Sequence, residues 1–129
     1  MSKLDKDSVI GISALLVHAA NIDEIYSDHE KNLVKDFIKS YLKDEDENKI
    51  LNEAEKIEKN SNQLLSYTNI IKKNSIEIKK DIIEHLWKVI ISDNTVDQYE
   101  SNLMRRICGL IYFPDKECAE IKLKLTNNL

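Results

Sequence analysis

The sequence predicts an all-α fold of about seven helices in one domain, built as two three-helix repeats related by pseudo-twofold symmetry, with a bridging helix between them. Three observations predict it. The 129 residues include two Gly and one Pro, too few for an all-β chain, which needs turn residues every ten or so positions. Apolar side chains recur at three- and four-residue spacing through seven segments. Shifted by 70 residues, the chain falls on itself without a gap.

The first segment, about Lys6 to Asn21, spaces Val9, Ile12, Leu16 and Ala19 along one face, and Ile10, Val17 and Ala20 widen it, which predicts a central, buried helix. The second, about Asp28 to Leu42, repeats Leu33/Val34, Phe37/Ile38 and Tyr41/Leu42 with Lys and Asp opposite. The third, about Glu47 to Lys59, uses Ile50, Ala54 and Ile57. A short fourth, about Gln63 to Lys73, carries Leu64, Tyr67 and Ile71. The fifth, about Ile76 to Ser92, is as apolar as the first, with Ile78, Ile82, Leu86 and Val89 beside Ile83, Trp87 and Ile90. The sixth, about Gln98 to Tyr112, places Leu103, Met104, Ile107, Leu110 and Ile111. The seventh starts near Pro114, a residue suited to a first turn, and uses Cys118, Ile121 and Leu125.

The 70-residue shift aligns these elements in order. Leu16 meets Leu86, Asp23 meets Asp93, Glu30 meets Glu100, Asn32 meets Asn102 and Leu33 meets Leu103. Residues 5–59 thus match 75–129, and 60–74 is left as the bridge within a single domain, 1–129. The expectation is that the first and fifth helices pair at the centre with the others packed around them.

Composition narrows the function. The formal charge of −4 argues against nucleic acid, whose phosphates call for a basic face; Arg105, Arg106, Lys116, Lys122 and Lys124 read as a solvated helix face. No run of 18 apolar residues predicts a membrane span, and the polar, acidic start does not resemble a signal peptide. Two cysteines, Cys108 and Cys118, at helix-face spacing read as small core hydrophobes in a reducing, cytoplasmic compartment. No Gly-rich phosphate loop, His-Glu-x-x-His or Cys-x-x-Cys occurs. Glu77, Asp81 and His85 share one helix face but lack the Glu-x-x-His pairing of di-metal bundles, and read as a solvated stripe. The chain is therefore expected not to be an enzyme.

Each half holds one acidic connection: Asn21-Ile22-Asp23-Glu24-Ile25-Tyr26-Ser27-Asp28-His29-Glu30, and Ser92-Asp93-Asn94-Thr95-Val96-Asp97-Gln98-Tyr99-Glu100. Ser27-x-x-Glu30 is a capping box and Asp97-x-x-Glu100 its aspartate variant. The same offsets also resemble the second half of an EF-hand loop, in which oxygens surround a hard cation. Upstream ligands are lacking: Ala19, Val89 and Ile91 offer no side-chain oxygen. A cation would therefore need ligands shared between the loops, or waters. Antiparallel central helices would hold the loops about 24 Å apart at 1.5 Å per residue; converging C-terminal ends would let them share one pocket. The sequence leaves both open.

Asp-x-x-[apolar]-[Ser/Asp]-x-x-Glu, after Leu15-Leu16-Val17-x-Ala19-Ala20 and again after Leu86-Trp87-x-Val89-Ile90, resembles the TerB-like family, named for a bacterial tellurite-resistance protein. Ile111-Tyr112-Phe113-Pro114-Asp115 fits the same family. Its usual Ala-Asp-Gly loop is replaced here by Ile22-Asp23-Glu24 and Ser92-Asp93-Asn94. The resemblance implies an internally duplicated helical fold and divalent-cation binding (Ca2+, Mg2+ or Mn2+) through Asp23, Glu30, Asp93, Asp97 and Glu100. It further implies a tellurite or chemical-stress role. A related domain opens certain J-domain co-chaperones, but no His-Pro-Asp occurs here. The alternative is a metal-free protein-interaction module; either way the expected partner is another protein.

Overall fold

Helix α1 (Lys6–Ala20) starts where Asp5 accepts the Ser8 amide at 2.7 Å. A side-chain oxygen there satisfies one of the amides that a helix start leaves bare. Helix α2 (Asp28–Tyr41) starts at Ser27, α3 (Glu47–Asn60) follows Asp46, which accepts the Asn48 amide, and α4 is Leu64–Lys72. Helix α5 (Ile76–Ile90) starts at Ser75, which accepts the Ile78 amide at 3.3 Å. Helices α6 (Gln98–Leu110) and α7 (Asp115–Asn127) complete the chain. The computed structural model describes residues 4–21, 27–60, 64–91 and 98–127, with backbone alone at 64–66, 98–100 and 127. The described residues are all-α, in seven helices. The bounds of α1 and α5, and their caps Asp5 and Ser75, coincide at the 70-residue shift.

Apolar pattern sets what is buried. Eleven of the fifteen residues of α1 are buried, from Val9 through Ala20. Such a helix can exist in water only when wrapped, and α2, α3, α4 and α5 all pack on it. The wrapping residues are those that the spacing selects, Val34, Phe37 and Ile38 from α2, Ile50 and Ala54 from α3, Tyr67 and Ile71 from α4, and Ile82, Ile83 and Leu86 from α5, joined by Leu51, which the spacing did not select. Ile57 departs from expectation, being 39% exposed. It falls at the end of the α3 stripe and edges a groove formed with Ile10 and Ile70. Gly11 lets α4 come close: a methyl group there would run into Ile70.

The contacts fix the direction of each helix. Lys6 of α1 pairs with Glu45, and His18, three turns on, with Glu58. Helices α1 and α3 therefore run in the same sense. Tyr67 of α4 lies against His18 and Ile70 against Gly11, so α4 runs the other way. Tyr41 meets Asp81, and Phe37, a turn earlier, meets His85, a turn later, so α2 and α5 are antiparallel. Lys72, at the end of α4, covers the ring of Tyr112, just past the end of α6. Glu45, just past the end of α2, meets Lys6 at the start of α1, so α2 opposes α1, and α5, antiparallel to α2, shares the sense of α1. The C-terminal ends of α1 and α5 and the starts of α2 and α6 lie toward one end of the bundle.

Helix α6 closes in a Schellman turn. The Phe113 amide donates to the Cys108 carbonyl at 2.8 Å and the Tyr112 amide to that of Gly109 at 3.4 Å. The residue between must be left-handed, and Tyr112, at φ 59°, occupies a place that glycine fills at less cost. Phe113 is buried behind the turn.

Ser13 is the one buried polar side-chain atom among the described residues that has no hydrogen-bond partner, at the centre of α1. A buried hydroxyl without a partner is a net cost, and Ala is the better helix former. Ser13→Ala should leave stability unchanged or raise it by about 1 kcal/mol, read from urea unfolding; a loss of comparable size would mean that the hydroxyl is bonded.

Candidate functional site

The acidic connections meet the described residues at the start of α2. Ser27 has extended backbone and its Oγ accepts the Glu30 amide at 3.2 Å. Glu30 Oε1 accepts the Ser27 amide at 2.9 Å and the Ser27 hydroxyl at 3.1 Å. The capping box read from the sequence is complete, and it explains how a glutamate that is 6% exposed is tolerated. Of the other expected ligands, Asp23, Asp93 and Asp97 lie outside the described residues, as do Tyr26, Val96 and the side chain of Glu100. Among the described residues no group of three or more His, Cys, Asp or Glu stands together.

Between α2 and α5 lies a polar cluster that differs from the expected solvated stripe. Glu77 is exposed, but the Asp81 carboxylate accepts the Tyr41 hydroxyl at 2.6 Å, and His85 is tucked beneath. The His85 side chain is only 14% exposed, with Nε2 at 3.6 Å from Asp81 and its ring edge-on to Phe37. Burial pushes the Tyr41 hydroxyl pKa up, and its bond to Asp81 adds to this. Burial also holds the His85 imidazole below its ordinary value, outweighing the attraction of Asp81 for the charged form. Tyr41 and Asp81 are 40 residues apart, so no local pattern signals the pair.

A second cluster joins α5, α6 and α7. Trp87 Nε1 donates to Cys118 Sγ at 3.3 Å. Both cysteines are buried, as expected of core residues. Arg105, Arg106, Lys116 and Lys124 are exposed.

An all-helical chain with this order of helices and no strand among its described residues is the class of protein that the sequence expected. The sequence model of the tellurite resistance protein TerB family matches residues 10–123, and the chain belongs to that family. No curated protein and no solved structure matches it. No helix of the described residues is long and apolar enough to cross a membrane.

Ser27→Ala removes one half of the capping box and should lower stability by about 0.5–2 kcal/mol in chelator-treated protein; no change in the denaturation midpoint would show that the cap is idle. His85 holds its proton less tightly in the folded chain than in the unfolded chain, which takes up a proton near pH 6.5. Its contribution is therefore complete above that pH and declines as pH falls below it. His85→Gln should lose less stability than wild type between about pH 7 and about pH 5; parallel losses would rule out a histidine buried neutral.

Proposed function

We propose that this TerB-family domain is non-catalytic, and that its two acidic connections share one divalent cation at the end of the bundle where α1 and α5 finish and α2 and α6 begin. Asp23, Glu30, Asp93, Asp97 and Glu100 supply the oxygens in this reading. The halves, 5–59 and 75–129, are copies about a pseudo-twofold axis, with 60–74 between them. The observation that carries the reading is the common sense of α1 and α5, the arrangement in which both connections leave the bundle at one end. Coincident bounds and caps of α1 and α5 at the 70-residue shift support the duplication. Five carboxylates gathered there would repel one another, and a hard cation with oxygen ligands relieves that. Occupancy would stiffen this end and alter the surface offered to a protein partner, in the cytoplasm of a cell under tellurite-like chemical stress.

The complete capping box favours a second reading, a metal-free interaction module. Ser27 and Glu30 already have a structural task without an ion.

Thermal unfolding decides between them. Adding Ca2+, Mg2+ or Mn2+ to chelated protein should raise the melting temperature as mass action requires, by roughly 2.7 kcal/mol of stability at a hundred times Kd. Asp93→Asn and Glu100→Gln should abolish the rise, while Glu77→Gln keeps it. Millimolar cation without effect on wild type would leave the interaction module as the surviving reading.

A further inference from the structure

Helices α5, α6 and α7 meet around an open cavity of about 560 Å³, with Trp87, Met104 and Cys118, one from each helix, as its floor. That volume falls within the range of small-molecule sites. The floor is apolar, since all three side chains are buried. The one strong donor among them, the Trp87 indole N–H, already bonds to Cys118 Sγ at 3.3 Å. The floor therefore asks nothing polar of whatever rests on it.

The rim is charged. Arg105 stands on α6 and Lys122 on α7, with Asp115 at the start of α7. Lys122 is half-buried, and its Nζ lies 5.4 Å from the centre of the Trp87 ring. The negative face of an indole attracts an ammonium at that distance, which holds the charge over the floor. Among the described residues neither Arg105 nor Lys122 forms an ion pair, with Asp115 or with any other carboxylate. A half-buried ammonium in this position has given up part of its hydration without gaining a counter-charge. Two cations against one anion leave the lining with a charge of +1, in a chain whose formal charge is −4.

We propose that this cavity binds a small organic acid carrying one negative charge, its apolar body resting on Trp87 and Met104 and its carboxylate taken by Arg105 and Lys122. The two cations differ in what they offer: a guanidinium grips a carboxylate with two parallel N–H bonds, and an ammonium acts as a point charge. Charge and floor together select the ligand. A neutral apolar molecule covers the floor but leaves both cations uncompensated. An organic cation is repelled by them. A dianion such as phosphate exceeds the single positive charge, meets Asp115, and has no apolar body to place on the floor.

Trp87 is the only tryptophan, so the folded chain has a single indole N–H resonance, and it reports from the floor of the cavity. Titrating the full chain with cinnamate should shift that resonance and reach saturation. Cinnamyl alcohol, which keeps the body and loses the charge, should bind roughly tenfold more weakly, the scale of one charge-assisted bond. Cinnamylammonium and inorganic phosphate should bind more weakly than cinnamate. Arg105→Gln and Lys122→Gln should each weaken cinnamate by roughly three- to tenfold, and Asp115→Asn should tighten it.

The proposal fails if millimolar cinnamate leaves the indole resonance where it was, or if the alcohol, the ammonium or phosphate binds as tightly as the carboxylate. It fails equally if both cation variants, folded, keep wild-type affinity. The ligand series is run on the wild-type chain, so it decides the matter even if a substitution unfolds the protein.

Discussion

Helix α1 has almost no polar face, and the fold is organised around that constraint. A helix buried over eleven of its fifteen residues has to be covered on nearly every side, and four other helices provide the cover. The cover is apolar and close-packed: Leu15, Leu16 and Ile12 meet Phe37, Ile50, Ile71 and Ile82 with no solvent access to speak of. Polar contacts at the edges of this core select the direction of each covering helix. The His18–Glu58 and Lys6–Glu45 pairs set α3, and Tyr41–Asp81 sets α5 against α2. The exposed Lys6–Glu45 pair contributes little stability.

The consequence for function is one of placement. Because α1 and α5 share a sense, their last residues, Ala20 and Ile90, lie toward the same end of the bundle. The described part of that end already uses carboxylate chemistry, with Glu30 bonded into the start of α2. At the other end α6 stops at Leu110 and closes in the turn through Tyr112.

Most of the fold was legible because helix burial repeats locally. All seven segments, the Ser27 capping box and the family were readable from spacing and motif, since each depends on residues a few positions apart. What escaped the sequence depends on pairs distant along the chain. Asp81 and His85 looked like a solvated stripe because nothing local announces that Tyr41 and Phe37 will cover them. The left-handed residue that closes α6 is a tyrosine, where glycine or asparagine would have advertised the turn. Ser13 sits in an apolar run that gives no sign of a hydroxyl without a partner. The sense of α5 against α1 is likewise a tertiary property, which is why the acidic connections could be listed from sequence but not brought together.

That shared sense is the claim on which the account depends. Lys88 and Glu77 are exposed on α5 and eleven residues apart, which is three helical turns, so they lie on one face separated by about 16 Å. Asp28 is exposed at the start of α2. Spin labels placed at Asp28 and Lys88, and separately at Asp28 and Glu77, with Cys108 and Cys118 replaced by Ala, give two distances by pulsed electron resonance. The account predicts that the Asp28–Lys88 distance is clearly the shorter; the opposite order would place the end of α5 away from the start of α2 and contradict it.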